Sequence, residues 1–362
     1  MYKRKINFNM IVILFPILII VAKIIRYTIM KDVLVDNGIG HSWINIFNSG
    51  LTNKEILMLP NVGLQNITSI IIFNVLNIFK IDNYFAYEIY ITVLFNIILF
   101  IMFYKLKTKI SIFQAVFLSL FIIVLNVFDF CLSKDPIQMI FFIVIFYVLL
   151  SNIKHKQLMS FIIVIISSII FRAYYILIIA FALILKIILE KIINGNSKKT
   201  IQSLCIGVII ITAFYILMLV ICHIAFPETY TELIRVRTRT SSAFSDIRNI
   251  FYTSNNILLF GADYLFVIIR LLFPLELMRG GIKYIMYILF QLVITYSILK
   301  SLKNYKLLSE IEKFSLLIFL AFVFTSATFE PDFGSWIRHE DVLYPLLLII
   351  NKLIKNKYID KE

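Results

Sequence analysis

Apolar residues along this chain form repeated runs long enough to cross a lipid bilayer, with short lysine-bearing segments between them. Such runs, of roughly 17–25 residues, are typical of membrane-spanning helices. We therefore predict an all-α polytopic membrane helix bundle that forms a single integral membrane domain over residues 1–362. With both ends cytoplasmic, about ten transmembrane helices are expected. They cover approximately 7–25, 84–104, 110–130, 137–151, 157–172, 174–190, 201–226, 283–300, 314–329 and 340–354.

Two further apolar segments, 64–79 and 256–276, do not fit as simple crossings, because counting either one would place the next lysines outside. Each predicts an interfacial or re-entrant helix at the outer face, where irregular backbone is tolerated if it lines a cavity. The alternative is that both segments cross and the orientation inverts between them. In the favoured topology, the long extracytoplasmic loops 26–83 and 227–282 are where binding and chemistry are expected.

The composition excludes a soluble domain, because 61% of the residues are hydrophobic and only 15% are charged. The net charge of +14 comes mostly from lysines in short loops, so it indicates topology and contact with anionic lipids, with no nucleic-acid partner. The cysteines and histidines show neither a disulfide framework nor a metal-binding spacing, so no metal and no cofactor are expected. A basic N-terminal flank without a following cleavage site predicts an uncleaved first span.

Arginine and lysine are distributed differently across this topology. Of ten arginines and twenty-five lysines, nineteen lysines fall on cytoplasmic segments or at the cytoplasmic ends of spans, together with Arg4 alone. The other nine arginines fall at or beyond the opposite face: Arg26, Arg172, Arg235, Arg237, Arg239, Arg248, Arg270, Arg279 and Arg338. The positive-inside rule opposes this placement, whereas a guanidinium is suited to gripping phosphate or carboxylate at two points. The pattern predicts an anion-handling surface on the outer face.

The segment 329–341 is the densest group of candidate catalytic residues. Its ionisable residues are Glu330, Asp332, Arg338, His339, Glu340 and Asp341. Pro331 and Gly334 are expected to break the helix there, and charge so close to hydrocarbon is unfavourable unless it is paired or hydrated. One interpretation is a site of carboxylates and arginine in which His339 or Glu330 transfers a proton. The alternative is a polar hairpin that marks the interface, with Trp336 as its anchor.

The short connection Ser133-Lys134-Asp135-Pro136 is a second candidate site. Pro136 suits the first turn of the next helix, and Asp135 is then expected to cap that helix. The functional interpretation, which is compatible with a cap, is a carboxylate held at the mouth of the bundle beside Lys134.

Arg172 is a third candidate, because it interrupts an otherwise apolar run from Leu158 to Leu185. Its side chain either extends to the interface or forms a buried grip on a phosphate, and we favour the second because Arg172 lies between two closely connected spans. Tyr174 and Tyr175 suit either an interfacial belt or a wall that stacks against sugar.

A cationic strip lies in the second long loop. Arg235, Arg237 and Arg239 would line one face of an extended segment, whereas Arg235 and Arg239 would share a face of a helix. Arg248 and Arg270 extend this set toward the following apolar segment. The alternative to substrate binding is contact with anionic lipid headgroups.

The first long loop contains Asp32, Asp36, His41 and Trp43. An acid soon after the first span is a candidate base. Asp36 stands before Asn-Gly, however, and we favour a role in capping a turn there.

Three short motifs carry a resemblance to a known family. Gly334-Ser335-x-x-Arg338-His339, followed by Pro345, resembles a motif near the C-terminus of bacterial O-antigen and capsular polysaccharide polymerases. The turns Lys134-Asp135-Pro136 and Phe171-Arg172-Ala173-Tyr174 resemble two further motifs of that family. The likeness covers most of the chain as a layout and only these motifs as residues. The paired periplasmic arginine motifs of some members have no clean match, and Arg239 and Arg248 are the nearest candidates.

The resemblance implies a membrane glycosyltransferase of lipopolysaccharide or capsule biosynthesis in the bacterial inner (cytoplasmic) membrane, with its active face extracytoplasmic. It implies transfer of a growing chain from undecaprenyl diphosphate to a new undecaprenyl-diphosphate-linked oligosaccharide. Membrane lipids, a chain-length regulator and a flippase are the other implied partners. The candidate catalytic residues are Asp135, Glu330, Asp332 and His339. The candidate diphosphate-binding residues are Arg172, Arg235, Arg239, Arg248, Arg270 and Arg338.

Two other functions stay open from the sequence. A glycosyltransferase that takes single sugars from a polyprenyl phosphate often has acids in its first outer loop and a short second loop, where Asp32, Asp36 and Asp135 stand. A flippase or transporter of the lipid-linked sugar would place charge near the bilayer midplane and show internal repeats. The charge here gathers at the outer ends, and no repeat is visible, so the polymerase is the favoured function.

Overall fold

The computed structural model describes residues 5–36, 64–192, 197–225, 228, 231, 245–251 and 257–355. These residues are helical almost throughout, and their paired strands are β1 (Lys5–Asn7) and β2 (Lys109–Ser111), which run antiparallel. The chain divides into two compact units. The first unit is Met1–Ala173 with Arg338–Glu362, and the second is Tyr174–Ile337. The mainly helical architecture expected from the apolar runs is confirmed.

The helices follow the apolar runs closely. In chain order they are α1 (Phe8–Tyr27), α2 (Leu64–Leu76), α3 (Tyr84–Phe103), α4 (Ile112–Val124), α5 (Lys134–Leu150), α6 (Lys156–Ile170), α7 (Ile176–Ile192), α8 (Ser197–Ala225), α9 (Ile257–Leu272), α10 (Ile285–Lys303), α11 (Glu310–Phe329), α12 (Phe333–Asp341) and α13 (Tyr344–Ile350). π-Helical turns follow α1 at Lys31–Asp36 and α4 at Leu125–Asp129. Short 3₁₀ turns lie at Ala173–Tyr175, Leu275–Gly280, Ile282–Tyr284 and Tyr305–Leu307.

Side-chain caps at helix starts explain several boundaries. Ser111 and Gln114 form a reciprocal capping box at the start of α4, and Ser309 and Glu312 form another at the start of α11. The Asn83 side chain accepts a hydrogen bond from a backbone amide in the first turn of α3. Each pair satisfies amide groups that have no partner within the helix, so the helix begins where the sequence supplies the cap.

In the first unit, α1 packs on α4 and its π-helical turn, while α5 packs on α2, α6 and α13. The segment after α13 returns to the connection that follows α3, where the Lys107 amide donates to the Leu353 carbonyl at 2.8 Å. The Gln114 side chain also donates to the Asn351 carbonyl at 2.8 Å. The C-terminal residues of the described chain therefore complete the first unit.

In the second unit, α7 packs on α8 and α11, α8 packs on α9 and α10, and α9 also packs on α11. The apolar window of α11 is 94% buried, which makes this helix the most enclosed of the candidate spans in the described chain. The Tyr264 ring stacks on Tyr215 with centroids 4.3 Å apart, and its hydroxyl donates to the Phe324 carbonyl at 2.9 Å. A buried tyrosine hydroxyl needs such a partner, so this bond fixes α9 against α11.

Seven helices of the described chain are long and apolar enough to cross a membrane. They are Phe8–Tyr27, Tyr84–Phe103, Ile112–Asp129, Ala173–Glu190, Cys205–Ala225, Ile282–Lys303 and Glu310–Phe329. Large apolar side chains on α1 are exposed, among them Ile13 at 72% and Ile20 at 59%. Exposed apolar surface of this kind is unusual on a soluble protein and is expected on a helix that faces lipid. The chain is therefore an all-α bundle with several membrane-spanning candidates, and the expected number of ten is not confirmed.

The two segments predicted to be interfacial or re-entrant are helical, as α2 and α9, and their depth in the membrane stays a prediction. The segment 340–354 is not one helix, because α12 ends at Asp341 and α13 has seven residues. Seven helical residues extend about 10 Å, too short for the hydrocarbon core. The prediction of one continuous helical span at 340–354 is therefore wrong.

Two expectations for the connection after α11 are also corrected. Gly334 does not break the helix, since it lies in the first turn of α12, and the break falls at Glu330–Asp332. Trp336 is fully buried and stacks on Phe322 with centroids 5.5 Å apart. Its indole therefore packs in the protein interior and does not anchor the chain at an interface.

Candidate active site

Arg172 joins two segments of the first unit through a buried ion pair. It follows α6, and its guanidinium donates to the Asp135 carboxylate at 2.8 Å and to the side-chain oxygen of Gln138. Asp135 and Gln138 are three residues apart in α5, so they share a helix face and reach the same guanidinium. Asp135 is 1% exposed and Arg172 is 6% exposed. Arg172 is therefore buried and does not extend to the interface; its partner here is a carboxylate of the protein, and phosphate binding stays a prediction.

The expectation that Asp135 caps α5 is wrong. Ser133 precedes the helix and makes no side-chain capping bond, whereas Asp135 lies within the first turn. Its carboxylate is directed to Arg172, because a buried guanidinium without an opposite charge would be strongly unfavourable. Lys134, beside it, donates to the Gln65 side chain of α2 at 3.0 Å. The turn thus connects α5 both to α2 and to the end of α6.

Arg338 and His339 of α12 belong to the same cluster. Both lie within electrostatic range of the Asp135 carboxylate, as Arg172 does. Burial lowers the pKa of His339 well below its usual range, and the Arg172 guanidinium acts in the same direction. The imidazole is therefore neutral near pH 7, and one of its ring nitrogens can accept a hydrogen bond. The structure brings these four predicted site residues together within the first unit.

Two further buried carboxylates complete this cluster. Asp129 ends the π-helical turn after α4, Asp341 ends α12, and neither is exposed to solvent. Asp129 lies within electrostatic range of Asp135 and of Asp341. Asp129 was not among the predicted site residues, because it follows a long apolar run and resembles an ordinary helix end. The available signal was an acid in Val127-Phe-Asp-Phe-Cys131, a strongly apolar setting. We refer to the buried residues Asp129, Asp135, Arg172 and Asp341, together with the half-buried Arg338 and His339, as the buried charge cluster.

The backbone around Asp129 is held by side chains of α1 and α3. The Arg26 guanidinium donates to the Val127 carbonyl at 2.7 Å, and the Lys23 ammonium donates to the Phe130 carbonyl at 2.7 Å. The Thr92 hydroxyl reaches the same Phe130 carbonyl at 2.9 Å. Carbonyls on both sides of Asp129 are therefore fixed by donors from outside the turn.

Arg26 also forms a second buried ion pair in the first unit. Its Nε donates to the Glu88 carboxylate of α3 at 3.1 Å, and the Tyr27 hydroxyl donates to the same oxygen at 2.6 Å. Glu88 was not among the predicted site residues. The pair satisfies the charge of Arg26 within the protein and orients its remaining donors toward the π-helical turn.

Glu330 and Asp332 are found in the second unit. Glu330 ends α11 with its side chain buried, and it accepts a hydrogen bond from the Tyr174 hydroxyl at 3.3 Å. Asp332 precedes α12 and accepts from the Ser335 amide at 2.8 Å and from the Ser335 hydroxyl at 3.3 Å. This is the geometry of a helix cap, so Asp332 has a structural role irrespective of any chemistry.

Arg248 and Arg270 also pair with carboxylates of the second unit. The Arg270 guanidinium is 2.6 Å from Glu276 and also donates to the Arg248 carbonyl at 2.7 Å. Arg248 is 3.3 Å from Asp246, but its side chain is 43% exposed. Of these two arginines, Arg248 is therefore the one that an anion from solvent can reach.

Other predicted site residues lie outside the buried charge cluster or outside the described part of the chain. Arg235, Arg237, Arg239, His41 and Trp43 lie outside the described residues. Asp32 is exposed, and it shares the π-helical turn Lys31–Asp36 with Asp36. The described His, Cys, Asp and Glu residues include no group of three that could hold a metal ion.

Comparisons with known proteins identify no relative. No family model matches the chain. Neither the curated proteins nor the solved structures gave a match.

The buried charge cluster contains the kinds of groups that general acid–base chemistry uses. They are carboxylates, a neutral imidazole and two guanidiniums, and guanidiniums are suited to stabilising negative charge. Its members come from α5, α12, the end of α6 and the π-helical turn, so the fold assembles them from segments distant in sequence. Buried charges interact more strongly than charges in water, which makes this cluster the best candidate site in the described chain.

The Asp135–Arg172 pair can be tested by a double-mutant cycle. Asp135→Asn leaves Arg172 buried without its counter-charge, and Arg172→Gln leaves Asp135 buried without its own. We expect each change to lower the free energy of unfolding by about 3–5 kcal/mol. The double variant removes both charges, and its loss should be well below the sum of the two. Thermal unfolding of the detergent-purified protein measures this, with exposed Lys303→Ala as the control. Strictly additive losses would show that the two residues are not energetically coupled.

A comparison of two changes tests the capping role of Asp332. Asp332→Asn keeps an oxygen for the Ser335 amide, whereas Asp332→Ala removes it and is expected to cost about 1 kcal/mol of stability. Thermal unfolding in detergent should therefore find the Asn variant as stable as the wild-type protein. Equal losses of stability in both variants would show that Asp332 does not cap α12 through this oxygen.

Proposed function

We propose that this chain is a membrane glycosyltransferase that polymerises lipid-linked oligosaccharide repeat units of O-antigen or capsule on the outer face of the bacterial inner membrane. The growing chain would move from undecaprenyl diphosphate to a new undecaprenyl-diphosphate-linked unit. The observation that supports this most is the buried charge cluster. Asp135, Arg172, Arg338 and His339 belong to the motifs that resemble the polymerase family, and all four contribute to one cluster.

The energetic cost of the cluster supports a functional role. Ionisable groups in an apolar bundle are unfavourable unless they are paired or used, and such groups commonly mark substrate sites. The Asp135–Arg172 pair compensates part of this cost, with a distance of 2.8 Å between guanidinium nitrogen and carboxylate oxygen. His339, Arg338 and the other acids add charge-bearing groups that the fold alone does not require.

The proposed reaction is a displacement at the sugar carbon attached to diphosphate. A hydroxyl oxygen of the acceptor forms a new bond to this carbon, and the carbon–oxygen bond to the diphosphate breaks. The leaving undecaprenyl diphosphate takes the bonding electrons, and a base receives the hydroxyl proton. In this scheme Arg338 and Arg172 stabilise the negative charge that develops on the diphosphate, while Asp135 fixes the orientation of Arg172.

The direct test is the surface polysaccharide of a deletion strain, displayed as a ladder on a gel. A polymerase predicts loss of the ladder with a single capped repeat unit retained. Complementation with the wild-type chain, Lys105→Ala or Lys303→Ala should restore the ladder, whereas Arg172→Ala and Arg338→Ala should not, although the protein is present in the membrane.

Other outcomes would replace the proposal with one of its competitors. Intermediates trapped on the cytoplasmic side would indicate a flippase. An unchanged ladder length with one sugar missing would indicate a transferase of single sugars. Full ladders from all four variants would show that Arg172 and Arg338 do not bind the diphosphate leaving group.

A further inference from the structure

Asp129 presents carboxylate oxygens that the fold does not use. Both oxygens are buried and accept no hydrogen bond from the described residues, whereas the neighbouring Asp341 carboxylate interacts with the Tyr344 hydroxyl. Buried polar groups nearly always have partners, and an ionised carboxylate is among the most unfavourable groups to leave without one. Asp129, within electrostatic range of Asp341, therefore indicates a place for a hydrogen-bond donor that comes from outside the chain.

The Asp135–Arg172 pair provides an independent indication of a ligand. Asp135 uses one carboxylate oxygen for Arg172, and its second oxygen is buried without a partner in the described chain. Gln138 uses its carbonyl oxygen for Arg172, and its amide nitrogen is likewise buried without a described partner. The unused atoms therefore include several acceptors and one donor. This mixture suits the hydroxyl groups of a sugar, each of which both donates and accepts.

The backbone geometry sets Asp129 apart from the other acids of the buried charge cluster. It ends a π-helical turn, a structure that is rare and frequent at functional sites. Arg26 holds the Val127 carbonyl and Lys23 holds the Phe130 carbonyl, so the chain is fixed on both sides of Asp129. The position of its carboxylate is thus defined without any contact to the carboxylate itself. Such preorganisation is what a catalytic group requires.

We propose that Asp129 is the catalytic base, and that Asp341, the second oxygen of Asp135 and the Gln138 amide bind hydroxyl groups of the acceptor sugar. This assignment rests on the proposed polymerase function and names the acceptor side of the same site. Asp129 removes the proton of the attacking hydroxyl, whose oxygen forms the bond to the donor sugar carbon. The bond from that carbon to the diphosphate oxygen breaks, and undecaprenyl diphosphate leaves with the electron pair.

Asp129 fits this role better than its neighbours. Asp135 is bound to Arg172, and a carboxylate that is paired with a guanidinium is a weaker base. His339 stands in the field of Arg172 and Arg338, and a protonated imidazole there would add a third positive charge. The sequence had indicated His339 or Glu330 for proton transfer, and the contacts favour Asp129 for that role.

The test uses the purified full-length protein in lipid nanodiscs with a lipid-linked repeat unit as substrate. Asp129→Asn should lower the rate of chain extension on the order of 10²- to 10⁴-fold, the usual contribution of general-base catalysis. Asp129→Ala should be equally slow, and added formate should restore part of its rate, because the small carboxylate replaces the missing group. Glu312→Gln is the matched control: it also converts a buried acid to an amide, keeps its capping box, and should retain the wild-type rate.

Several results would overturn the assignment. Wild-type rates in Asp129→Asn would exclude a base at this position, and a slow Asp129→Ala that formate does not accelerate would indicate a structural role. If the Asn variant does not accumulate in membranes, Asp129→Glu decides: its displaced carboxylate should lower turnover about tenfold or more, and unchanged turnover would exclude the role. Failure of the wild-type protein itself to extend the substrate would count against the polymerase function and not against Asp129 specifically.

Discussion

The buried ion pair between Arg172 and Asp135 is the interaction on which the candidate site depends. It connects the start of α5 to the end of α6 at 2.8 Å and places Gln138 on the same guanidinium. Removing one partner would leave a charge in an apolar interior, so the pair constrains both segments strongly. Around it lie Arg338, His339, Asp341 and Asp129, whose carboxylate has no partner among the described residues, so the first unit holds a group of charges that a purely structural bundle would not need.

The preference for arginine over lysine has a second explanation besides the binding of an external anion. Four of the nine arginines predicted to lie at the outer face pair with carboxylates of the protein: Arg26 with Glu88, Arg172 with Asp135, Arg248 with Asp246 and Arg270 with Glu276. The planar fork of arginine explains the preference over lysine equally well when its partner is an internal carboxylate. The excess of arginine therefore reflects ion pairs with carboxylates of the protein as well as any capacity to bind a diphosphate.

The sequence predicted much of this architecture because the physical signals are local. Apolar runs predicted the helices, whereas the capping box of Ser309 and Glu312, which starts α11 ahead of the expected position 314, was not recognised. Asp135 and Arg172 were recognised because a charge in an apolar run is conspicuous. The partner of each charge was not predictable, since pairing depends on which helices pack together. The prediction that Asp135 caps α5 was wrong for that reason. The Arg172 guanidinium, distant in sequence, binds the Asp135 carboxylate in place of the backbone amides at the start of α5. Asp129 was missed because its significance lies in the absence of a partner, which only the packed structure reveals.

The most direct measurement of the central claim is photo-crosslinking of a lipid-linked repeat unit that carries a diazirine on its acceptor sugar. Crosslinked peptides of the wild-type protein would be mapped by mass spectrometry. The account predicts that they concentrate at residues 129–138 and 338–341, and that an excess of unlabelled repeat unit abolishes them. Competable crosslinks found exclusively in the second unit, around Arg248 and Arg270, would contradict it and move the reaction away from the buried charge cluster.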